Sequence, residues 1–313
     1  MQVDPILKVS KSQIFFQIGS VFLALISVLT HSYYHQISIV CLKCSMGLGF
    51  FALIKIANSS SYAFDPKIKK MFHWIHAMIF EIFAFGCVLF LRCFKFLDRS
   101  RKLHLKGEGR PILLVHGYCN DSSVWGYLKY RIGNQNHPVY TVDLGLPFES
   151  IQSYALKVQQ KANEIANETK RSDLILIGHS MGGLVVSLYA LKLAPVNTVT
   201  DLITIGTPLK GTHIAKIGIG KNAREMERNS LFVQELEEKI TQEKSIRFYH
   251  IGTKTDLLVV PNHSAFIESS NSKQFSFEDI GHASLLFSPR VADLITDWLM
   301  NTNSLSSDLN LNP

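Results

Sequence analysis

The sequence predicts an α/β domain with a mostly parallel sheet, preceded by an apolar helical segment. From Arg110 onward, short apolar runs alternate with stretches whose apolar residues recur at helical spacing. This alternation is the pattern of a parallel sheet covered by helices on both faces. Before Arg110 the chain is far more apolar. We therefore expect apolar helices and a basic linker at 1–104, the α/β domain at 105–300, and a disordered polar tail at 301–313.

The N-terminal segment contains three apolar stretches, at 14–30, 37–56 and 71–94. A membrane-spanning helix needs about 20 mostly apolar residues, so the first two are long enough to span. The third carries His73, His76 and Glu81, and a charge inside a span is costly, which favours a helix lying at the membrane interface. A cleaved signal peptide is the alternative for 14–30. No small-x-small cleavage site follows that stretch, so a retained anchor is preferred.

The formal net charge of +7 is concentrated in one place. Between Arg92 and Arg110 the chain has seven Lys or Arg residues against two acidic ones. A basic run directly after an apolar stretch favours an anionic membrane surface over nucleic acid as a partner. Basic residues also flank the apolar stretches at 8–11 and 67–70, and the positive-inside rule would keep all three groups in the cytoplasm. Two spans followed by an interfacial helix satisfy that rule, so an integral membrane protein with a cytoplasmic α/β domain is favoured over three spans.

The five cysteines predict neither a disulfide framework nor a metal site. Only Cys119 lies in the α/β region, so that region cannot form an internal disulfide. Cys41 and Cys44 form a C-x-x-C pair inside an apolar run, without a βαβ context or a partner His or Cys at zinc spacing. We expect no metal and no organic cofactor.

Within the α/β region, the predicted elements follow one another in regular order. Strands are predicted at 111–117, 137–144, 173–178, 199–206, 245–252 and 273–280. Helices are predicted at 153–170, 181–194 and 288–300. The stretch 212–244 is long for a simple crossover and contains an amphipathic segment. It is interpreted either as a lid over a site or as a plain surface helix.

The stretch Gly178-His179-Ser180-Met181-Gly182 lies between a predicted strand and a predicted helix. In so sharp a turn the residues two before and two after the serine nearly touch, and glycine removes the Cβ atoms that would clash. Ser180 would then point outward, in front of the free N–H groups of a helix N-terminus. The alternative is a tight turn with an idle serine. The placement between strand and helix favours a nucleophile.

A serine hydroxyl needs a general base, and the base needs an orienting acid. His282 follows the last predicted strand and precedes the last helix, where the base is expected in the chain order serine, acid, histidine. Asp256 follows the preceding strand and is the favoured acid. Asp279 is the alternative, although it lies only three residues before His282. Asp143 is less favoured because it precedes the serine.

An oxyanion hole requires two N–H donors beside the nucleophile. One donor should be the peptide N–H of Met181, the residue after the serine. The other should come from the turn after the first strand, where Tyr118 is the candidate. His116 also lies at the end of that strand, and its position suggests a supporting role rather than that of the base.

Five sequence stretches together resemble the α/β-hydrolase superfamily, within it most closely bacterial triacylglycerol lipases and inositol-deacylase-like lipases. These are "LLVHGY", "LILIGHSMGGLVV", "LITIGTPLKGT", "GTKTDLLVVP" and "IGHASLLFSP", and the resemblance covers about residues 105–300. It implies an α/β-hydrolase fold and the hydrolysis of lipid or other acyl esters without a cofactor. The same resemblance implies the triad Ser180, Asp256 and His282, with Tyr118 and Met181 as the oxyanion hole.

The N-terminal segment lies outside this resemblance, so a secreted lipase is not what the whole chain predicts. A membrane-anchored lipase or esterase is the favoured interpretation. An acyltransferase or phospholipase with the same triad is the alternative, because the choice of acceptor and head group depends on pocket shape. A non-catalytic hydrolase-like domain that binds at the membrane is an alternative of another class, which the intact Ser, Asp and His set disfavours.

Overall fold

The computed structural model describes residues 66–93, 107–133 and 136–307. The apolar stretches predicted at 14–30 and 37–56 lie outside these residues, as do Cys41, Cys44 and most of the basic linker. Their predicted membrane spans and orientation therefore stay predictions.

A six-stranded, fully parallel sheet forms the centre of the α/β region, in the order β2-β1-β3-β4-β5-β6. The four inner strands are almost entirely buried, and β1, β3 and β4 are rich in Val, Ile and Leu, as expected for strands covered on both faces. The strands are β1 Ile112–Val115, β2 Val139–Val142, β3 Leu174–His179, β4 Val199–Ile205, β5 Arg247–Thr253 and β6 Ser272–Phe277. All six strands predicted from the sequence are confirmed.

Helices cover both faces of the sheet. The α-helices are α1 Pro66–Cys93, α2 Gly126–Gly133, α3 Ile151–Thr169, α4 Met181–Leu188, α5 Lys221–Glu225, α6 Leu231–Gln242 and α7 Pro289–Ser307. Helix α3 begins where the Ser150 side chain accepts a hydrogen bond from the Ser153 N–H, and Ser230 caps α6 through the Val233 N–H in the same way. The predicted helices at 153–170, 181–194 and 288–300 correspond to α3, α4 and α7.

Two separate apolar layers hold the helices to the sheet. One layer packs α3, α4 and α6 on one face, with Tyr154, Leu184 and Leu236 among its members. The other packs α2 and α7 on the opposite face around Trp125 and Ile295. This is the doubly covered sheet that the sequence predicts.

Three local features differ from the sequence prediction. Helix α2 was not predicted, because its eight residues include two glycines and few apolar positions. The predicted helix 181–194 changes into a π-helical turn at Tyr189–Leu193. Helix α7 continues to Ser307, beyond the end of the predicted helix 288–300, and residues 308–313 of the predicted tail lie outside the described residues.

Helix α1 is the described part of the third apolar stretch. Among residues 66–93, 107–133 and 136–307, only its segment Met71–Leu91 is long and apolar enough to cross a membrane, judged by length and composition alone. From His73 onward this helix belongs to the same compact unit as the sheet. The sequence analysis, in contrast, places the whole of helix α1 in the N-terminal segment 1–104.

Candidate active site

Ser180 sits on a strained turn between β3 and α4. Its backbone angles are φ 55° and ψ −128°, a region that side chains other than glycine rarely adopt. A Cβ on Gly178 would lie 2.5 Å from the backbone of Gly183, and a Cβ on Gly182 would overlap the Val115 carbonyl oxygen. The Ser180 N–H donates to the Ile205 carbonyl of the neighbouring strand at 2.8 Å, which fixes the turn at the edge of the sheet.

The structure brings His282 and Asp256 together. His282 Nδ1 donates to Asp256 Oδ2 at 2.8 Å, and both residues are 3% exposed. The other carboxylate oxygen of Asp256 accepts from the peptide N–H groups of Leu258 and Val259, each at 2.8 Å. With Nδ1 committed to Asp256, Nε2 is the imidazole nitrogen left to exchange a proton.

The two alternative acids are engaged elsewhere. Asp279 Oδ1 accepts from the Arg290 guanidinium at 2.5 Å, near the surface. Asp143 Oδ1 accepts from the Ser122 N–H at 2.7 Å and is exposed. Asp256 is therefore the candidate acid that contacts His282, and Asp279 and Asp143 are not in contact with it.

His282 lies beside the turn that carries Ser180. A Cβ on Gly206, directly after β4, would be 3.2 Å from His282 Nδ1. The ring of His179, the residue before the serine, has its centroid 4.8 Å from the His282 ring, and His179 Nε2 donates to the His282 carbonyl at 3.2 Å. Ser180, Asp256 and His282 follow β3, β5 and β6, so the carboxyl ends of these parallel strands bring the three residues to the same end of the sheet.

Burial and charge act in opposite directions on His282. Burial lowers the pKa of its imidazole, but the adjacent Asp256 carboxylate and, to a smaller extent, Glu81 raise it, so the net pKa lies above the ordinary histidine value. Burial lowers the pKa of His179 far below that value, and the nearby His282 adds to the effect. His179 is therefore a neutral donor to the His282 carbonyl, and His282 is the histidine that can gain a proton.

Two peptide N–H groups are available beside Ser180. In the described part of the chain, neither the Met181 N–H nor the Tyr118 N–H donates to a protein acceptor. Met181 is the first residue of α4, where N–H groups have no partner inside the helix. The turn that contains Tyr118 packs closely against the serine, since a Cβ on Gly117 would lie only 2.8 Å from Ser180 Cβ.

His116 is held in a structural role. Its Nδ1 donates to the Gly117 carbonyl at 3.0 Å, and its Nε2 accepts from the Leu144 N–H at 3.0 Å. Both ring nitrogens are therefore used, and the imidazole links the turn after β1 to the chain after β2. This agrees with the supporting role expected from the sequence.

The segment predicted as a lid or surface helix divides into two parts. Helix α6 buries Val233, Leu236 and Ile240, which is the packing of an ordinary surface helix. The preceding part reaches the site, because the Tyr118 hydroxyl donates to the Ile219 carbonyl at 2.8 Å and accepts from the Ile219 N–H at 3.0 Å.

Exposed apolar side chains surround this contact. Ile217 and Ile219 are 81% and 67% exposed, and Leu146 on the loop after β2 is 74% exposed. Phe148 on the same loop stacks toward Tyr118, with ring centroids 6.0 Å apart. We call Leu146, Phe148, Ile217 and Ile219 the apolar rim.

One side chain near the site was not placed there by sequence reasoning. Glu81 of α1 accepts hydrogen bonds from the N–H groups of Ala283 and Ser284, directly after His282. In the sequence, Glu81 is noticeable only as a single acidic residue inside an apolar helix. The sequence does not show which other residues its side chain contacts. Among the described residues, no group of three or more His, Cys, Asp or Glu could hold a metal ion.

A parallel sheet with a strained serine between strand and helix, and an Asp-His pair at the same edge, has the architecture of the α/β-hydrolase fold. Residues 112–237, less than half of the chain, match the model of the alpha/beta hydrolase family. No curated protein sequence matches the chain significantly.

Solved structures with the same fold include several lipases. Aspergillus fumigatus lipase B is 20% identical, with a TM-score of 0.54, over 62% of this chain and 54% of the fungal one, so the chain spans about half of that protein. Bacillus licheniformis lipase BlEst2 is 15% identical, with a TM-score of 0.52, over 61% of this chain and 91% of the lipase. Paleococcus ferrophilus monoacylglycerol lipase is 15% identical, with a TM-score of 0.52, over 63% and 96%. At these identities the likeness establishes the fold.

Proposed function

We propose that the protein is a membrane-associated serine hydrolase that cleaves carboxylic esters of lipids. The observation that carries this proposal is the position of the buried His282–Asp256 pair beside the strained Ser180 turn. An idle serine at a tight turn needs neither the unfavourable backbone angles nor a histidine whose pKa is raised by a buried carboxylate.

The proposed reaction has two steps. Ser180 Oγ attacks the ester carbonyl carbon while His282 Nε2 takes the hydroxyl proton, and the N–H groups of Tyr118 and Met181 stabilise the oxyanion. His282 then gives that proton to the leaving alcohol as the C–O bond breaks, which leaves an acyl-serine. Water opens the acyl-serine, with His282 taking its proton and returning it to Ser180, and the carboxylic acid is released. Asp256 keeps the imidazole oriented and stabilises its charged form.

The apolar rim supports an acyl chain as the substrate group that lies beside the site. Leu146, Ile217 and Ile219 are among the most exposed apolar residues of the described chain, and an exposed apolar patch gains free energy when an apolar partner covers it. The Tyr118 contact with Ile219 connects the rim to the proposed oxyanion donor. A lipid acyl chain would bury this surface next to the reacting carbonyl.

Helix α1 supports association with a membrane. One side of it is exposed and apolar, with Ile82, Phe83, Phe85, Leu89 and Phe90 all more than 40% exposed. Its titratable side chains from Met71 to Leu91 contact protein instead: His76 Nδ1 bonds to the Asp279 carbonyl at 3.0 Å, and Glu81 meets the His282 loop. A helix with one apolar face outward and the other on the domain suits a position in the plane of the interface.

The test is labelling of the full-length, detergent-solubilised protein with a fluorophosphonate probe, which reacts with activated serines. Wild type should be labelled, Ser180→Ala should not, and Ser276→Ala, which removes an exposed serine on β6, should be labelled like wild type. A series of p-nitrophenyl esters from acetate to palmitate, presented in mixed micelles, would then rank chain lengths.

Each outcome has a defined meaning. Labelling lost only in Ser180→Ala, with faster hydrolysis of the longer esters, supports the lipase. A folded wild type that is not labelled and hydrolyses no ester would overturn the proposal in favour of a non-catalytic binding domain. Labelling combined with transfer of the acyl group to an added alcohol in preference to water would replace the lipase with an acyltransferase.

A further inference from the structure

The carboxylate of Glu81 is bound at the loop that carries His282. Oε1 accepts from the Ala283 N–H at 2.8 Å, and Oε2 accepts from the Ser284 N–H at 3.0 Å and from the Ser284 hydroxyl at 2.9 Å. Glu81 is only 6% exposed. The three donors that converge on it favour its ionised form, whereas burial acts more strongly and raises the pKa of the Glu81 carboxyl above its ordinary value.

The loop is shaped to receive this side chain. A Cβ on Gly281 would overlap Glu81 Oε2 and would lie 2.9 Å from Glu81 Cβ. The absence of a side chain at position 281 therefore creates the space that the carboxylate occupies. No other residue type fits there without moving Glu81.

Helix α1 presents Glu81 from a narrow docking face. Ala77, Glu81, Ala84 and Val88 are its buried residues among 71–91, and they recur every three or four positions, on one side of a helix. The two alanines allow close approach of the helix backbone, and Glu81 is the only long polar side chain in the row. The helix therefore meets the α/β region through a specific polar contact, not through apolar packing alone.

The donors that Glu81 binds belong to the start of a short 3-10 helix, Ala283–Phe287, of which His282 is the N-cap residue. The first N–H groups of a helix have no partner within it and need an external acceptor when buried. Glu81 satisfies two of them. On the other side of the loop, the hydroxyls of Thr253 and Thr255 donate to the Ile280 carbonyl at 2.5 and 2.7 Å. His282 is thus held from the sheet on one side and from α1 on the other.

We propose that Glu81 is a positioning residue for the hydrolase reaction: it fixes the loop from Gly281 to Ser284 and thereby holds the His282 imidazole in place. The inference rests on the proposed function. It assigns to the apolar N-terminal helix a part in the active site that goes beyond membrane association. Glu81 acts through the His282 loop and need not touch the substrate.

The charges around His282 make this role specific. Asp256 faces the imidazole from the turn after β5, Glu81 from α1, and the neutral His179 from the end of β3. The carboxylates of Asp256 and Glu81 both raise the pKa of His282, against the effect of burial. Removal of the Glu81 charge should therefore lower the His282 pKa, whereas a purely structural contact would leave it unchanged.

The experiment compares Glu81→Gln with Glu278→Gln in the full-length protein. Glu278 is an exposed carboxylate near the same loop, paired with Lys254 at 2.5 Å, and serves as the matched control. We expect Glu81→Gln to lower kcat by about 10- to 100-fold, the range for a displaced catalytic group, with little change in KM. We also expect the acid limb of its pH–rate profile to move to lower pH. Glu278→Gln should behave like wild type.

A second measurement needs no activity and separates this proposal from the proposed function. In a Ser180→Ala background, the His282 imidazole would be titrated by NMR with and without Glu81→Gln. A lower His282 pKa in the double variant supports the charge effect even if the protein hydrolyses no ester. An unchanged His282 pKa together with unchanged kcat would overturn the inference.

Gly281→Ala tests the same contact from the side of the loop, because it fills the space that the Glu81 carboxylate occupies. The added methyl should displace the Glu81 carboxylate and reduce kcat to the level of Glu81→Gln. Combining Gly281→Ala with Glu81→Ala should cost less than the sum of the two single changes, because the space is freed. Additive effects would show that the two residues do not act on each other and would contradict the proposal.

Discussion

Asp256 Oδ2 and His282 Nδ1 lie 2.8 Å apart, and the second oxygen of Asp256 is fixed by the N–H groups of Leu258 and Val259. Because the carboxylate is held on both sides, it can orient the imidazole without moving. The Asp256 carboxylate also favours the charged form of the histidine, since it raises the pKa of the His282 imidazole. The pair therefore combines orientation with electrostatic stabilisation of imidazolium.

The first prediction concerns this pair. Asp256→Asn should lower kcat for ester hydrolysis by about 10⁴-fold, as expected when the orienting acid of a serine triad is neutralised. Unfolding in urea should show a folded variant, since the amide can keep most of the contacts. Asp279→Asn, which removes a carboxylate engaged with Arg290 near the surface, is the control and should retain wild-type kcat. Equal losses in both variants would contradict the assignment of the acid.

The second prediction is a pH dependence. The general base must be neutral to accept the Ser180 proton, so kcat/KM should fall as pH decreases through the His282 pKa. Burial lowers that pKa, but Asp256 and Glu81 raise it above the ordinary histidine value, so the acid limb should lie at higher pH than for an isolated imidazole. Initial rates on a soluble ester from pH 5 to 9 would measure it. An acid limb below the ordinary value would show that burial, not charge, dominates.

The third prediction tests the turn that carries the serine. Gly182→Ala would place a methyl group on the Val115 carbonyl oxygen, a backbone atom that cannot rotate away. We expect a loss of about 3 kcal/mol or more of unfolding free energy. Gly126→Ala is the matched control, because no atom lies within 4 Å of the added Cβ and the residue is in a helical conformation. That substitution should be neutral or stabilise by about 0.5 kcal/mol. Equal stability of the two variants would argue against the tight approach of α4 to β1.

The fourth prediction links stability to pH through His250. Burial lowers the pKa of this histidine to about 3, and its Nδ1 lies 2.8 Å from the Thr204 hydroxyl. Between about pH 6.5 and 3, His250 is protonated in the unfolded chain but neutral in the folded protein. Above this window the histidine is neutral in both states, so its ionisation does not reduce the unfolding free energy. Within the window, the unfolding free energy should fall by about 1.4 kcal/mol for each unit that the pH decreases. His250→Asn, which keeps a partner for Thr204 but does not titrate, should flatten this dependence in urea unfolding at pH 7, 6 and 5. The buried His179 should leave part of the slope in place.

The sheet and the position of the serine were predictable from sequence for a local reason. Fully buried parallel strands are apolar along their whole length, so β1, β3 and β4 stand out as short runs that end in Gly or polar residues. The G-x-S-x-G spacing was also recognisable, because the sharp turn at the serine needs glycine two residues before and two residues after it. The pairing of His282 with Asp256 was also predictable, because chain order in this architecture fixes which strand end supplies each group.

The contact of Glu81 with the His282 loop was not predictable in this way. It joins residues about 200 positions apart, and the sequence around either residue does not indicate that the two lie in contact. In the sequence, Glu81 is a charge that disfavours a membrane span, and Gly281 is one of many loop glycines. Helix α2 escaped prediction for a different reason, because its packing against the sheet, not its own composition, stabilises it.

The fit between Glu81 and the gap at Gly281 makes helix α1 and the α/β region depend on each other. An α/β region joined to a different N-terminal helix would leave three donors without their acceptor, and a side chain gained at position 281 would exclude the acid. A chimaera that replaces helix α1 would therefore have to supply a glutamate at the same position, opposite a glycine at position 281.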